Sequence, residues 1–166
     1  DVYKRQGVNI SYLSEDFPMG TAGAISLLPS SLRTDYIVIT NGDIITDTSY
    51  ADMLAYASKS SSDGCMAVRT HEWTSPFGVV ESQGPSFQGI VEKPTYKYLL
   101  NAGLYVISSA LATLVPANSY LDMTQLFLEA QQSSRNLTVY PIHEPWIDIG
   151  RIEDYQFATD YFTSSS

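Results

Sequence analysis

Cysteine, basic residues and long apolar runs are all scarce in this chain of 166 residues. Its single cysteine, Cys65, excludes an intrachain disulfide, and its apolar neighbours favour a small core residue over a nucleophile. Nine lysines and arginines stand against eighteen aspartates and glutamates, and the net charge of −9 disfavours a nucleic-acid partner. No apolar segment is long enough to span a bilayer and no signal peptide is evident, so we expect a cytoplasmic protein without membrane contact.

The remaining composition, 44% hydrophobic and 16% charged, is that of a globular domain. Apolar runs of strand length alternate with segments of helical periodicity, which indicates an α/β fold with a mixed sheet and a β-rich insertion. Strands are expected at 8–13, 36–40, 65–70, 77–81, 87–93, 102–107, 137–142 and 146–148, and helices at 21–29, 47–59, 121–132 and 152–162. Helical spacing predicts inward side chains at Met53, Leu54, Tyr56, Leu126, Phe127 and Ala130.

Two aspartates follow segments that are predicted to be buried strands. Asp43 ends the run YIVITNGD, and Asp148 ends a second apolar stretch in WIDIG. Ligands of open α/β sheets bind where strands end at their carboxyl edge, and two carboxylates there suit Mg²⁺ carrying phosphates. An ordinary turn explains Asp43 equally well when it is considered alone, and Asp148 alone is a weaker signal because it fits a turn leading into a helix.

Two further segments are candidates for ligand contact. The loop Gly20-Thr21-Ala22-Gly23 precedes a predicted helix, where small residues allow a nucleotide to approach the backbone, although an ordinary helix entry with Thr21 as its cap fits equally well. Glu92-Lys93-Pro94 ends a predicted strand, and the proline is expected to hold Lys93 extended at the sheet edge. There, Lys93 would meet phosphate oxygens and Glu92 hydroxyls; the alternative is a surface ion pair.

Six short motifs, taken in order, resemble the sugar-1-phosphate nucleotidyltransferase family over roughly residues 7–160. They are MGTAGA at 19–24, NGD at 41–43, FGVV at 77–80, EKP at 92–94, NAGLYV at 101–106 and WIDIG at 146–150. The stretches YLDMT at 120–124 and YPIHE at 140–144 are similar to the mannose-1-phosphate guanylyltransferase-like branch.

This resemblance implies a Rossmann-like nucleotidyltransferase fold with a mixed, mainly parallel sheet. It implies Mg²⁺-dependent transfer of a nucleotidyl group from an NTP, with GTP favoured, to a sugar 1-phosphate, giving an NDP-sugar and pyrophosphate. It is also compatible with a homo-oligomer. The implied site residues are Asp43 and Asp148 for the metal and catalysis, Lys93 for catalysis at the sugar phosphate, Gly20, Thr21 and Gly23 for the nucleotide, and Gly78, Glu92, Asn101 and Gly103 for the sugar.

One departure from the family pattern concerns its opening strand and glycine-rich loop, G-G-x-G-T-R-L, which this sequence does not contain. We therefore expect residues 7–162 to be an incomplete nucleotidyltransferase domain with negligible turnover alone. Residues 1–6 are expected to be a non-native or junction segment, and 163–166 a frayed tail.

Two alternatives to the enzyme remain. A non-catalytic regulatory subunit would bind a nucleotide sugar without the activating loop, but retention of both aspartates favours the enzyme. A glycosyltransferase is disfavoured because the sequence after Asp43 lacks the second aspartate of a D-x-D motif. The nucleobase and the sugar are not resolved by the motifs alone.

Overall fold

The computed structural model describes residue 7 and residues 9–29 and 34–150. The chain divides into two compact units, one comprising 1–42, 49–65 and 105–138 and the other 43–48, 66–104 and 139–166. The predicted junction segment 1–6, the predicted helix 152–162 and the predicted tail 163–166 lie outside the described residues.

Helices and strands are interleaved along the described part of the chain, and residues 64–108 form four successive strands without a helix between them. The helices are α1 (Gly20–Gly23), which continues into a 3₁₀ turn at Ala24–Leu27, α2 (Tyr50–Lys59), α3 (Ser109–Ala112) and α4 (Met123–Gln132). The strands are β1 (Tyr36–Thr40), β2 (Ile44–Thr46), β3 (Gly64–Thr74), β4 (Val79–Gln83), β5 (Ser86–Val91), β6 (Thr95–Ser108), β7 (Leu137–Pro141) and β8 (Trp146–Asp148).

Four strands form one sheet in the order β1-β6-β3-β7, and β2–β8 and β4–β5 form antiparallel ribbons. The threonine hydroxyls of Thr74 and Thr95 lie 2.8 Å apart, and the Glu72 carboxylate lies 2.7 Å from the Lys97 ammonium. Residue numbers therefore run in opposite directions along β3 and β6, which makes this pair antiparallel. The pairing extends β6 back to Thr95, well before the predicted start at residue 102.

The contacts between β3 and β7 run the other way. The N–H of Gly64 donates to Asn136 at 3.4 Å, and the N–H of Ile142 donates to Val68 at 2.9 Å. Residue numbers rise together along the two strands, so this pair is parallel. The sheet is mixed, which confirms that part of the predicted fold.

The helical cores follow the predicted periodicity with one exception. In α4, Leu126, Phe127 and Ala130 are buried, which confirms the prediction. In α2, Met53 is buried as expected and Leu54 is half-buried, but Tyr56 is 40% exposed, so its predicted inward position is wrong. Ala57 takes that place, because it lies one turn beyond Met53 on the same face.

Two other predicted elements differ from the structure. Residues 9–15 form no strand, and Tyr12 is 76% exposed there, so the strand predicted at 8–13 is wrong for the residues described. The first helix is shorter than predicted, because α1 ends at Gly23 and only a 3₁₀ turn follows. Among the described residues, none of the helices is both long enough and apolar enough to cross a membrane.

Candidate functional site

The register of one short ribbon brings Asp43 and Asp148 together. In the β2–β8 ribbon Ile44 pairs with Asp148 and Ile45 with Ile147, so the end of β8 lies against the turn that precedes β2. The N–H of Ile149 donates to the Asp43 carbonyl at 2.8 Å and extends this pairing. Residues that are far apart in sequence are therefore neighbours.

The two carboxylates face a common space beside Gly150. A β-carbon added at Gly150 would lie 3.0 Å from Asp148 Oδ1 and 3.8 Å from Asp43 Oδ2. The Gly150 N–H donates to Asp148 Oδ1 at 2.9 Å and fixes that side chain. The Asp43 carboxylate, by contrast, makes no hydrogen bond or ion pair within the described part of the chain. The missing β-carbon leaves room between two negative charges.

This donor set fits a hard divalent cation. Mg²⁺ takes one or two protein carboxylates and completes its shell with water and substrate phosphates. No group of three or more histidine, cysteine, aspartate or glutamate side chains within residues 9–29 and 34–150 is placed to hold a metal. A cation held by these two carboxylates alone would keep positions open for water or for a phosphate ligand.

Gly78 and Glu92 also lie in contact. A β-carbon at Gly78 would lie 2.8 Å from Glu92 Oε1 and 3.1 Å from Ile90 Cδ1. Glycine at this position lets the Glu92 carboxylate lie directly against the backbone. The two residues that the resemblance assigns to a sugar are thus adjacent, and their role stays a prediction.

Lys93 adopts an unusual backbone conformation next to this pair. Its φ of 45° lies in the left-handed region, so the expectation that Pro94 holds Lys93 extended is wrong. Proline favours extended backbone for the preceding residue, and Lys93 departs from that preference. Such a conformation costs about 1–3 kcal/mol in a residue other than glycine and occurs often at ligand sites. The Lys93 ammonium forms no ion pair with the described residues.

Asn101 and Gly103 form a local irregularity within β6. The Gly103 N–H donates to Asn101 Oδ1 at 3.0 Å, and Gly103 has a φ of 71°. Only glycine adopts that conformation without strain, so this position requires it. The turn leaves Asn101 exposed on a strand whose following residues are buried.

The loop predicted to contact a nucleotide is held by the start of α4. The backbone N–H of Thr21 donates to Asp122 Oδ1 at 3.1 Å, and in return the N–H of Met123 donates to Thr21 Oγ1 at 2.8 Å. Thr21 therefore caps the distant helix α4 rather than its own helix, and Asp122 binds the start of α1. This exchange between Thr21 and residues 122–123, which we term the loop clamp, corrects the expectation that Thr21 caps the helix it opens.

Two further backbone donors of this loop have partners as well. The N–H groups of Ala22 and Gly23 both donate to the Leu121 carbonyl, at 2.9 and 3.1 Å. Gly20 has a φ of 75°, and a β-carbon there would lie 2.6 Å from the same carbonyl. Because these donors are occupied, a bound nucleotide would meet the shape of this loop and not the N–H groups of residues 21–23. The nucleotide role of Gly20, Thr21 and Gly23 stays a prediction.

The loop clamp has a consequence for stability against acid. Hydrogen bonds from the Thr21 backbone and then from the Tyr120 hydroxyl lower the pKa of Asp122 below its ordinary value. The folded state therefore gains stability above the ordinary pKa of an aspartate and loses it as pH falls through the lowered value. We expect Asp122→Asn to lower the melting temperature only slightly at neutral pH, because solvent screens this carboxylate, and by progressively less in this acid range. Calorimetry across pH checks it, and a difference that does not change with pH would contradict it.

Two residues, one in the aspartate-bearing strand β8 and one in contact with it, were not predicted as site residues. Arg69 Nη1 donates to the Trp146 carbonyl at 3.0 Å, and the Trp146 indole N–H donates to the Ala102 carbonyl at 2.8 Å. Arg69 lies in β3, and nothing in its local sequence points to β8. Only the tryptophan within the WIDIG motif offered a signal, because a half-buried indole needs an acceptor.

Comparison with known proteins identifies both a family and a fold. The model of the family described as nucleotidyl transferase matches residues 2–165. Mannose-1-phosphate guanyltransferase of Schizosaccharomyces pombe is 28% identical over 170 residues, which cover 98% of this chain and 46% of that protein. Mannose-1-phosphate guanylyltransferase catalytic subunit beta of Xenopus tropicalis is 29% identical over 158 residues, covering 92% of this chain and 44% of the relative.

A solved structure of similar fold is that of HddC from Yersinia pseudotuberculosis complexed with GMP-PN. The two structures superpose with a TM-score of 0.69 and share 23% sequence identity. The match covers 97% of this chain and 71% of the HddC chain. The likeness confirms the predicted Rossmann-like α/β fold. The chain spans slightly less than half the length of the curated relatives that it matches.

Proposed function

The chain belongs to the nucleotidyl transferase family, and from this premise we propose that its protein transfers a nucleotidyl group from an NTP to a sugar 1-phosphate. The products are an NDP-sugar and pyrophosphate. The observation that carries the proposal is the pairing of Asp43 and Asp148 around the open space at Gly150. Such a pair suits the charge of a triphosphate better than it suits a neutral ligand, provided that a cation is present.

The substrates proposed are GTP and mannose 1-phosphate. Two curated relatives carry names that state guanylyl transfer to mannose 1-phosphate, and each matches more than nine-tenths of this chain. The runs at 120–124 and 140–144, similar to that branch, include Asp122 of the loop clamp. This support comes from likeness, so other bases and sugars belong in the test.

In the proposed reaction an oxygen of the sugar phosphate bonds to the α-phosphorus of the NTP while the bond from that phosphorus to pyrophosphate breaks. Asp43 and Asp148 would hold Mg²⁺, which would supply positive charge to the phosphates. The protein's own residues would then orient the sugar phosphate. Glu92, held against Gly78, offers a fixed acceptor to sugar hydroxyls, and the Lys93 ammonium, without an ion-pair partner among the described residues, offers a cation to the phosphate. Placement by such groups lowers the barrier by positioning the reactants, and the protein forms no covalent bond.

The direct experiment measures binding and turnover on the same preparation. Calorimetric titration with Mn²⁺, GTP and mannose 1-phosphate reports binding, and pyrophosphate release in Mg²⁺ reports turnover, with other NTPs and hexose 1-phosphates for comparison. Binding together with Mg²⁺-dependent pyrophosphate release supports the enzyme. Binding without release is expected both for an incomplete enzyme domain and for a non-catalytic regulatory subunit. Pyrophosphate release by the same chain joined to a segment that carries the family's glycine-rich loop would favour the enzyme, and its absence there would favour the regulatory subunit. Absence of metal and sugar-phosphate binding would overturn the proposed site.

Gly150 provides a steric test of the metal site that leaves its charge unchanged. We expect Gly150→Ala to weaken Mn²⁺ binding by about tenfold or more, because the methyl group would enter the space between the two carboxylates. The φ of Gly150 is not in the left-handed region, so the substitution adds little backbone strain.

Gly89→Ala is the matched control in the same unit, because its β-carbon would meet only Glu81 Oε2 at an ordinary 3.8 Å. Titration calorimetry of both variants compares the two positions. Equal Mn²⁺ affinities for Gly150→Ala, Gly89→Ala and the wild type would show that no cation occupies this space.

A further inference from the structure

Trp146 stands between two groups of candidate site residues within one compact unit. It lies two positions before Asp148 in β8, so the two side chains project to the same face of the strand. Its indole N–H donates to the carbonyl of Ala102, which is fully buried between Asn101 and Gly103. The strand that carries a candidate metal ligand is therefore hydrogen-bonded to the segment that the resemblance assigns to the sugar.

Arg69 completes this connection from strand β3. In the β2–β8 ribbon the N–H of Asp47 donates to the Pro145 carbonyl, and the N–H of Ile149 donates to the Asp43 carbonyl. Hydrogen-bonded and non-bonded residue pairs alternate along an antiparallel ribbon, so the backbone groups of Trp146 point away from β2. Arg69 Nη1 donates to this outward carbonyl at 3.0 Å, and the guanidinium carbon lies 5.8 Å from the centre of the indole ring.

The charge of Arg69 has no carboxylate partner within the part of the chain that the structure describes. Arg69 is half-buried, and its guanidinium donates to a backbone carbonyl and not to a carboxylate. Its contribution is therefore a directed hydrogen bond to β8. A ribbon of three residue pairs is marginally stable by itself. The contacts of Arg69 and Trp146 therefore fix the position of β8 and, with it, the direction of Asp148.

We propose that Arg69 and Trp146 are positioning residues that couple cation binding at Asp43 and Asp148 to sugar-phosphate binding at 101–103. The inference rests on the proposed function. A cation held by Asp148 would restrain β8, and the Trp146 indole on the same strand is bonded to the Ala102 carbonyl. Each ligand thereby favours the arrangement that the other requires, which is a reciprocal coupling of two sites.

The test compares mannose 1-phosphate affinity with and without saturating Mn²⁺ in the full chain. We expect Mn²⁺ to tighten sugar-phosphate binding in the wild type, and Trp146→Phe to reduce this enhancement by about fivefold or more. Phenylalanine keeps a ring but removes the N–H donor. Trp73→Phe is the matched control, because Trp73, the other tryptophan, is exposed and stacks on Tyr96.

A conservative pair at Arg69 separates positioning from general stability. Arg69→Lys retains a donor for the Trp146 carbonyl and should keep most of the enhancement, whereas Arg69→Met should lose it. Melting temperatures are recorded for both variants. Equal loss of the enhancement in the two variants would overturn the positioning role.

A measurement that leaves Arg69 and Trp146 unsubstituted guards against variants that do not fold. In Trp73→Phe the single remaining indole N–H signal belongs to Trp146. We expect its ¹⁵N resonance to shift on addition of Mg²⁺ alone and of mannose 1-phosphate alone. A response to only one ligand, or binding of both ligands without mutual enhancement, overturns the coupling and leaves the proposed function intact. If neither ligand binds, both proposals fail.

Discussion

Replacing Asp43 with asparagine is expected to remove most divalent-cation binding while leaving the melting temperature unchanged or slightly higher. The Asp43 carboxylate has no hydrogen-bond or ion-pair partner among the described residues, so the fold gains nothing from its charge. It faces the Asp148 carboxylate across the space at Gly150, and neutralising one of two like charges relieves repulsion. Because Asp43→Asn removes one of the two charged ligands, we expect the affinity for a divalent cation to fall by about a hundredfold.

The opposite signs of the two effects make this experiment decisive. Titration with Mn²⁺ gives the affinity, and thermal unfolding without metal gives the stability. Asp148→Asn should lose affinity similarly, and its remaining carbonyl oxygen can still accept the Gly150 N–H. Asp52→Asn is the control, because Asp52 is an exposed carboxylate at the start of α2. Unchanged Mn²⁺ affinity in Asp43→Asn would refute the metal site, and in the active enzyme it would also refute the assigned catalytic role.

Gly20→Ala is expected to be the most destabilising single methyl addition in the clamped loop. Its β-carbon would lie 2.6 Å from the Leu121 carbonyl oxygen and 2.9 Å from Asp122 Oδ1, and its φ of 75° is strained for alanine. Backbone strain and loss of the α1–α4 hydrogen bonds should together lower the free energy of unfolding by about 3 kcal/mol. For a chain of this length the melting temperature should fall by about 6–12 °C.

Gly42→Ala provides the matched control for this substitution. Gly42 has no φ in the left-handed region, and nothing lies within 4 Å of the position that its added methyl group would occupy. We expect its melting temperature to stay within about 2 °C of the wild type, as for a typical surface substitution. Equal melting temperatures for Gly20→Ala and Gly42→Ala would show that the loop is not held by the start of α4. A similar fall in melting temperature for both variants would show that the contacts of Gly20 with Leu121 and Asp122 are not the cause.

The loop clamp also limits how this part of the chain can contribute to a nucleotide site. Glycine-containing loops before helices often bind phosphates through their N–H groups. Here the donors of Thr21, Ala22 and Gly23 are bonded to Asp122 and Leu121. A phosphate would have to break these bonds, so the charge of the triphosphate is better accommodated by a cation at the aspartates and by the Lys93 ammonium.

Local pattern alone was enough to predict most strands and helices and to select Asp43 and Asp148 as candidate site residues. The helical spacing of Leu126, Phe127 and Ala130 predicted the buried face of α4, because that periodicity depends only on helix geometry. Asp43 and Asp148 were identifiable because each follows a short apolar run and lies near a glycine. Tyr56 was misassigned because local spacing alone does not distinguish a large apolar side chain at the edge of a face from one at its centre.

Only the tertiary structure decided which residues meet. The register of β2 against β8 placed Asp43 beside Asp148, and the packing of α1 against α4 paired Thr21 with Asp122. Arg69 carried no signal in its own strand, since its partner lies 77 positions away. Hydrophobic periodicity records which side of an element is buried, but it carries no information about its partner. That choice depends on strand pairing and on the need of each buried donor for an acceptor, which are properties of the whole fold.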